Sequence, residues 1–263
     1  METTTIFSEA NQAEAKNPPP DLYKKEYTEF IDLATHDLDA PLRKLSMLIE
    51  LLTAKLGNII EDTDVQPYIK RIETCVHDMR STIDDLSLLS KIVSEKRKYV
   101  SCDLQSVVQH AIEELQPIIK QKKAVITVSA LPLILGDNQQ LERLFKNLIE
   151  NAIKFTKKDV TPCIKISSTQ LNLDEIKSLE LGDNLQYYKI EISDNGIGFN
   201  QEYAEKVFRP FYRLHGKSKY PGTGIGLAVC KKIVENHEGI VYANSRENSG
   251  SCFVTILGQT TNL

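Results

Sequence analysis

At 263 residues the chain has room for one large or two small units, each able to bury its own core. A net charge of -4 with 26% charged residues, the Lys and Arg scattered, excludes a chain built around nucleic acid. No run approaches the ~18 apolar residues of a membrane span, and Met1-Glu2-Thr3 lacks the basic start of a secretory signal. Five Cys with no Cys-x-x-Cys fit a reducing cytoplasm, and Cys75, Cys163, Cys230 and Cys252 read as small core residues.

Residues 1–20 read as a flexible leader ending in Pro18-Pro19-Pro20, with Asp21 as the N-cap of a long helix. Apolar residues then recur at helical spacing from Phe30 through Leu38, Leu42, Leu45 and Ile49 to Leu56, and Gly57-Asn58 ends the run. Thr63-Asp64-Val65-Gln66 starts a second helix, with Pro67 in its first turn and a stripe from Val65 to Val93. Lys96-Arg97-Lys98, the densest basic spot, complements the dipole of that helix. Two helices cannot cover two such stripes, so the 21–98 hairpin is expected to pair with a second copy as a homodimeric four-helix bundle. Packing of the stripes on the rest of the chain is the alternative.

Past residue 98 the texture changes. A helix is expected over 103–121, a strand over 125–129, a helix over 138–156 and a strand over 163–169. A variable polar segment over 171–184 follows, then a strand over 187–193, an irregular Gly-containing stretch to 221 and a helix over 224–236. A hairpin near 240–243 and 252–257 closes the chain. The expected fold class is α+β: the helical hairpin, then an α/β sandwich over 99–263 with a mixed sheet covered on one face.

Three clusters in this second unit carry chemistry. On the helix 138–156, Asn147, Asn151 and Lys154 share a face; amide oxygens suit Mg2+ already carrying phosphates, and the Lys supplies a cation. Asp194-Asn195-Gly196-Ile197-Gly198 follows a strand, so a carboxylate can accept from an exocyclic amine where the backbone approaches a flat ring. That selects adenine over guanine. Gly222-Thr223-Gly224-Ile225-Gly226-Leu227 opens a helix and exposes N–H groups to phosphate. Its spacing is not the dinucleotide fingerprint, and Gly216-Lys217-Ser218 is not a P-loop because Phe211 stands where that motif needs Gly.

In this order the clusters resemble the ATP-binding domain of sensor histidine kinases and of the gyrase, Hsp90 and MutL ATPases. Residues 147–154 resemble the N box, 194–198 the G1 box, Phe208-Arg209-Pro210-Phe211 the F box and 222–227 the G2 box. The resemblance implies ATP and Mg2+ as cofactors, Mg2+ on Asn151, phosphates on Asn147 and Lys154, and adenine on Asp194. It also implies a mobile lid over 199–221, with Arg213 able to reach the phosphates. Members that hydrolyse ATP with water carry Glu where this chain has Asn147, so the site looks made to deliver phosphate elsewhere.

The stretch Thr35-His36-Asp37-Leu38-Asp39-Ala40-Pro41-Leu42 resembles the family's H box, in wording closest to phytochrome-type kinases. His36 lies off the apolar stripe, and a neutral imidazole is a competent nucleophile near pH 7. By the same resemblance Asp37 holds the proton on one ring nitrogen while the other attacks. Pro41 removes one helical bond and should bend the helix beyond the nucleophile. Ala40 replaces the usual Thr or Asn, which implies weak phosphatase activity toward the partner. His77, His110, His215 and His237 read as surface histidines. The implied partners are a second copy of the chain, a response-regulator receiver domain and an upstream sensor domain or protein. A histidine phosphotransfer dimer with a vestigial ATP domain is the alternative, and a chaperone or mismatch-repair ATPase the third reading.

Overall fold

The computed structural model describes residues 35, 38, 41–54, 66–94, 99–182, 185–214, 220 and 222–260. The expected leader, the nucleophile pair His36 and Asp37, the interhelical turn and the basic run 96–98 lie outside the described residues.

Helix α1 (41–54) packs on α2 (Gln66–Ser94) through Leu42 and Ile49 against Val76 and Ile83. Much of the stripe is left uncovered: Leu45, Leu48, Leu52, Ile72 and Met79 are all exposed, Leu48 by 53%. The last turns of α2 leave the pair, and Leu89 and Ile92 enter the main core.

Beyond α2 come β1 (Val100–Asp103), α3 (Leu104–Glu114), α4 (Gln116–Lys122), β2 (Val125–Val128), β3 (Leu133–Gly136) and α5 (Asn138–Lys154). The chain continues through β4 (Cys163–Gln170), α6 (Leu173–Ser178), β5 (Leu185–Asp194), α7 (Gly226–Asn236), β6 (Ile240–Arg246) and β7 (Gly250–Thr260). The main sheet runs β2-β4-β5-β7-β6, with β2 parallel to β4 and the other neighbours antiparallel. Ile164, Ile166, Ile190 and Ile192 alternate onto the face that meets Leu144, Phe145, Leu148 and Ile149 of α5. Deleting one such side chain, as in Leu148→Ala, costs about 2–5 kcal/mol.

The structure departs from the expected elements at several points. The helix expected over 103–121 is two, α3 and α4, broken at Leu115 because Pro117 in the first turn of α4 has no N–H to continue the ladder. The strands β1 and β3 were not expected; each is four residues long and buries one central side chain, Cys102 or Ile134. The polar segment 171–184 contains α6, started by a capping box in which Asn172 and Glu175 bond reciprocally. Its Ile176 packs with Leu171, Tyr187 and Ile256. Ile256 alternates with Leu257 of the main core, so α6 covers part of the face expected to be bare. Cys75 and Cys163 are exposed instead of buried, each on the outward side of its element, and Cys252 is half-buried. Cys230 is buried as expected, together with Cys102.

His237 is no surface histidine. Its Nε2 accepts the Asp137 N–H at 3.0 Å while Nδ1 donates to the Ile233 carbonyl at 2.7 Å, which fixes a neutral tautomer. It thereby ties the end of α7 to the N-cap of α5.

Candidate active site

Helix α5 is set by its cap. The Asp137 side chain accepts from the Gln140 N–H at 3.1 Å, and Leu141, Leu144, Leu148 and Ile153 anchor the apolar face. The opposite face presents Arg143, Asn147, Asn151 and Lys154, at steps of four, four and three, to a cavity of about 380 Å³. That is the size of a small-molecule site.

Asn147 is only 8% exposed, and its Nδ2 donates to the Gly226 carbonyl at 3.2 Å. Asn147 therefore joins α5 to the start of α7 as well as lining the cavity. On α7 the buried Cys230 thiol has its pKa pushed up by burial to about 12, so that cysteine is an inert packing group. Asn151 and Lys154 lie on the cavity wall, with the Lys154 ammonium 4.9 Å from the Phe155 ring centre. Burial first, and the Arg213 guanidinium second, hold Lys154 below its ordinary pKa.

Asp194 ends β5 at the far side of the cavity. Its Oδ1 accepts the Gly196 N–H at 2.7 Å and the Ser251 N–H at 3.3 Å, and neither bond uses Oδ2. Burial raises its pKa, and these two N–H groups pull partly back. Asn195 turns away: its amide accepts from Cys163 N–H at 2.9 Å and donates to the Thr161 carbonyl at 3.0 Å, fastening the start of β4. Gly198 sits at φ +58, and a Cβ there would lie 2.0 Å from the Arg246 carbonyl oxygen. Only glycine lets the backbone pass. Gly196 does not line the cavity; it holds Asp194.

The glycine-rich stretch closes the third side. Gly222, Thr223, Gly224, Gly226 and Leu227 all line the cavity. Arg213 donates to the carbonyls of Tyr220, at 2.6 Å, and Gly222, bracing this stretch from below. Of the expected lid, residues 199–214 are pinned to the core by Phe199, Val207 and Phe208, the last meeting Phe253 edge-on. Residues 215–219 and 221 lie outside the described residues.

Sequence reasoning missed several lining residues: Ser81 and Asp85 of α2, Arg143, Tyr212, Tyr220, Ser251 and Phe253. Arg143 precedes Asn147 by one helical turn, a signal that was available. Asp85 carried none, because its place at the cavity depends on how α2 docks. The Thr223 hydroxyl donates to Asp85 Oδ2 at 2.6 Å, and Arg143 Nη2 meets Asp85 Oδ1 at 3.4 Å.

A mixed sheet under α5 and α7, with this cavity between α5, the β5 end and the α7 start, forms an α+β unit joined to a helical pair. Residues 136–261 match the family described as histidine kinase-, DNA gyrase B- and HSP90-like ATPase, and residues 26–95 match the His Kinase A (phospho-acceptor) domain. The chain belongs to the sensor histidine kinases. It is 34% identical over 86% of its length to the phytochrome-like protein Cph1 of Synechocystis, covering 28% of that protein. It is 32% identical over 87% to cyanobacterial phytochrome A of Nostoc, again covering 28%. With the adaptive-response sensory kinase SasA of Thermosynechococcus vestitus it shares 28% identity over 85% of its length and 57% of that protein. The chain thus spans well under a third of the phytochrome relatives. Among solved structures, full-length ShkA in complex with AMPPNP matches 89% of this chain and 46% of its own, at TM-score 0.65 and 19% identity. ThkA in complex with the response regulator TrrA matches 91% and 65%, at TM-score 0.59 and 17% identity. At these identities the likeness is one of fold.

Proposed function

We propose that the chain is an ATP-dependent protein histidine kinase that phosphorylates His36 and passes the phosphoryl group to an Asp of a response-regulator receiver domain. The observation that carries this reading is that three separate sequence clusters, at 147–154, 194–198 and 222–227, line one cavity. Asp194, with Oδ2 outside its two backbone bonds, receives the adenine amine. Lys154 and the N–H groups of 222–226 receive the phosphates, with Asn147 holding the α7 start against them.

Among the described residues no cluster of three His, Cys, Asp or Glu forms a metal cage. An amide donor beside a phosphate site fits Mg2+, which takes most of its ligands from phosphate and water. Asn151 would hold it, and it would supply charge neutralisation on the phosphates.

In the transfer step a nitrogen of His36 attacks the γ-phosphorus, the bond from that phosphorus to the β–γ bridging oxygen breaks, and ADP leaves. Asp37 keeps the proton on the other nitrogen. With Asn147 in place of a water-activating carboxylate, the imidazole is the better acceptor. The uncovered apolar face of α1 and α2 supports pairing with a second copy, and an upstream sensor would act through the same helices. A hairpin at 21–98 and a catalytic unit at 99–263 are the working domains of this reading.

Incubation with γ-labelled ATP and Mg2+ tests it. The wild type takes up acid-labile, base-stable label, and His36→Gln and Asn151→Asp do not. Equal labelling of His36→Gln would refute the assignment.

A further inference from the structure

The carboxylate of Asp85 reaches into the cavity from α2 and occupies two donors at once, the Thr223 hydroxyl and the Arg143 guanidinium. One oxygen on each donor is how a phosphate would be held at the same place. Thr223 belongs to the glycine-rich stretch that opens α7, the anion end of the pocket. Arg143 shares its helix face with Asn147, Asn151 and Lys154, and its Nε is buried without a hydrogen-bond partner among the described residues. A guanidinium with one arm on a carboxylate and a buried N–H left over has capacity for a better acceptor.

We infer that Asp85 is an intramolecular occupant of the phosphate subsite, and that Arg143 is a further phosphate contact that Asp85 holds in reserve. The inference rests on the ATP reading above and assigns two residues to it. Loading ATP exchanges one carboxylate for phosphate oxygens on Thr223 and Arg143, because two anions cannot share those donors. The exchange also breaks the bond between α2 and the pocket.

The geometry around Asp85 favours release there. Toward the N-terminal side of α2, a second cavity of about 710 Å³ runs between His77, Asp78 and Ser81 and the Lys154–Lys158 segment, so α2 stands off from the ATP unit. Toward the C-terminal side Leu89 and Ile92 are buried in the main core. Breaking the Asp85 contact leaves the last turns of α2 as the pivot.

Titration of the full chain with AMPPNP and Mg2+ tests this in wild type, Asp85→Asn, the exposed neighbour Asp84→Asn, Arg143→Gln and the Asp85→Asn/Arg143→Gln double variant. If the latch is closed about nine-tenths of the time, Asp85→Asn binds about tenfold tighter than wild type. Asp84→Asn is unchanged, and the double variant binds more weakly than Asp85→Asn alone. Equal affinity of Asp85→Asn and wild type, or the same gain in Asp84→Asn, overturns the latch. A double variant as tight as Asp85→Asn overturns the role of Arg143. Failure of every variant to bind AMPPNP overturns the ATP reading and the latch with it, whereas binding without an Asp85 effect overturns the latch alone.

Discussion

The Asn236 amide donates to the Ile92 carbonyl at 2.8 Å and to Gln140 Oε1 at 3.1 Å, joining the end of α7 to the last turn of α2 and the first turn of α5. Asn236 is 1% exposed, and its backbone carbonyl accepts the Tyr99 hydroxyl. Three helices meet on one polar side chain.

Asn236→Leu is expected to destabilise the chain by about 1–3 kcal/mol, since the Ile92 carbonyl and Gln140 amide lose a donor in a buried setting. Urea denaturation followed by circular dichroism measures it. A change within a few tenths would mean the joint is held by Leu89 and Ile92 alone.

Gly250 sits at φ +93, and a Cβ there would lie 2.0 Å from the Asp194 carbonyl oxygen. Gly250→Ala should cost about 2–4 kcal/mol and weaken nucleotide binding, because β7 must move away from Asp194. Gly182→Ala is the contrast: among the described residues a Cβ there meets the Tyr187 hydroxyl alone, at 3.7 Å, and thermal unfolding should be within about 0.5 kcal/mol of wild type.

Asp194→Asn should reduce AMPPNP affinity about 10–100-fold, the worth of a charged hydrogen bond. Burial raises the pKa of Asp194 in the folded chain, so its ionised form costs stability. That cost is absent below the unfolded pKa and grows as pH rises through the folded one. The variant should therefore melt at or above the wild-type temperature at pH 7, with the gap closing in acid. Nucleotide affinity of the wild type should fall in acid at a pH above the ordinary Asp range.

Lys154→Ala should weaken AMPPNP binding about tenfold or more through the lost phosphate contact. Burial and Arg213 depress the Lys154 pKa, so the charged amine is lost at a lower pH than an ordinary Lys. The alkaline fall in affinity should begin correspondingly early in wild type and be absent in Lys154→Ala.

Elements with a strong period or a motif could be read from the chain alone: α2, α5, α7 and the β6–β7 hairpin lie where the pattern put them, within two or three residues. The strands β1 and β3 could not, although β2, equally short, lies where a strand was expected. Four residues with one buried side chain, as in β1 and β3, look like loop until the partner strand is known. Nor could docking across helices be read. Asp85, Asn236 and His237 gain their roles from neighbours 138, 144 and 100 positions away, and local periodicity carries no trace of such contacts.

The proposed reaction delivers phosphorus from this pocket to protein and not to water. Single-turnover reaction with γ-labelled ATP measures it directly, by following ADP, phosphoprotein and inorganic phosphate together. ADP and labelled protein should appear in equal amounts ahead of free phosphate, and neither should form in His36→Gln. Steady release of inorganic phosphate by His36→Gln would contradict it.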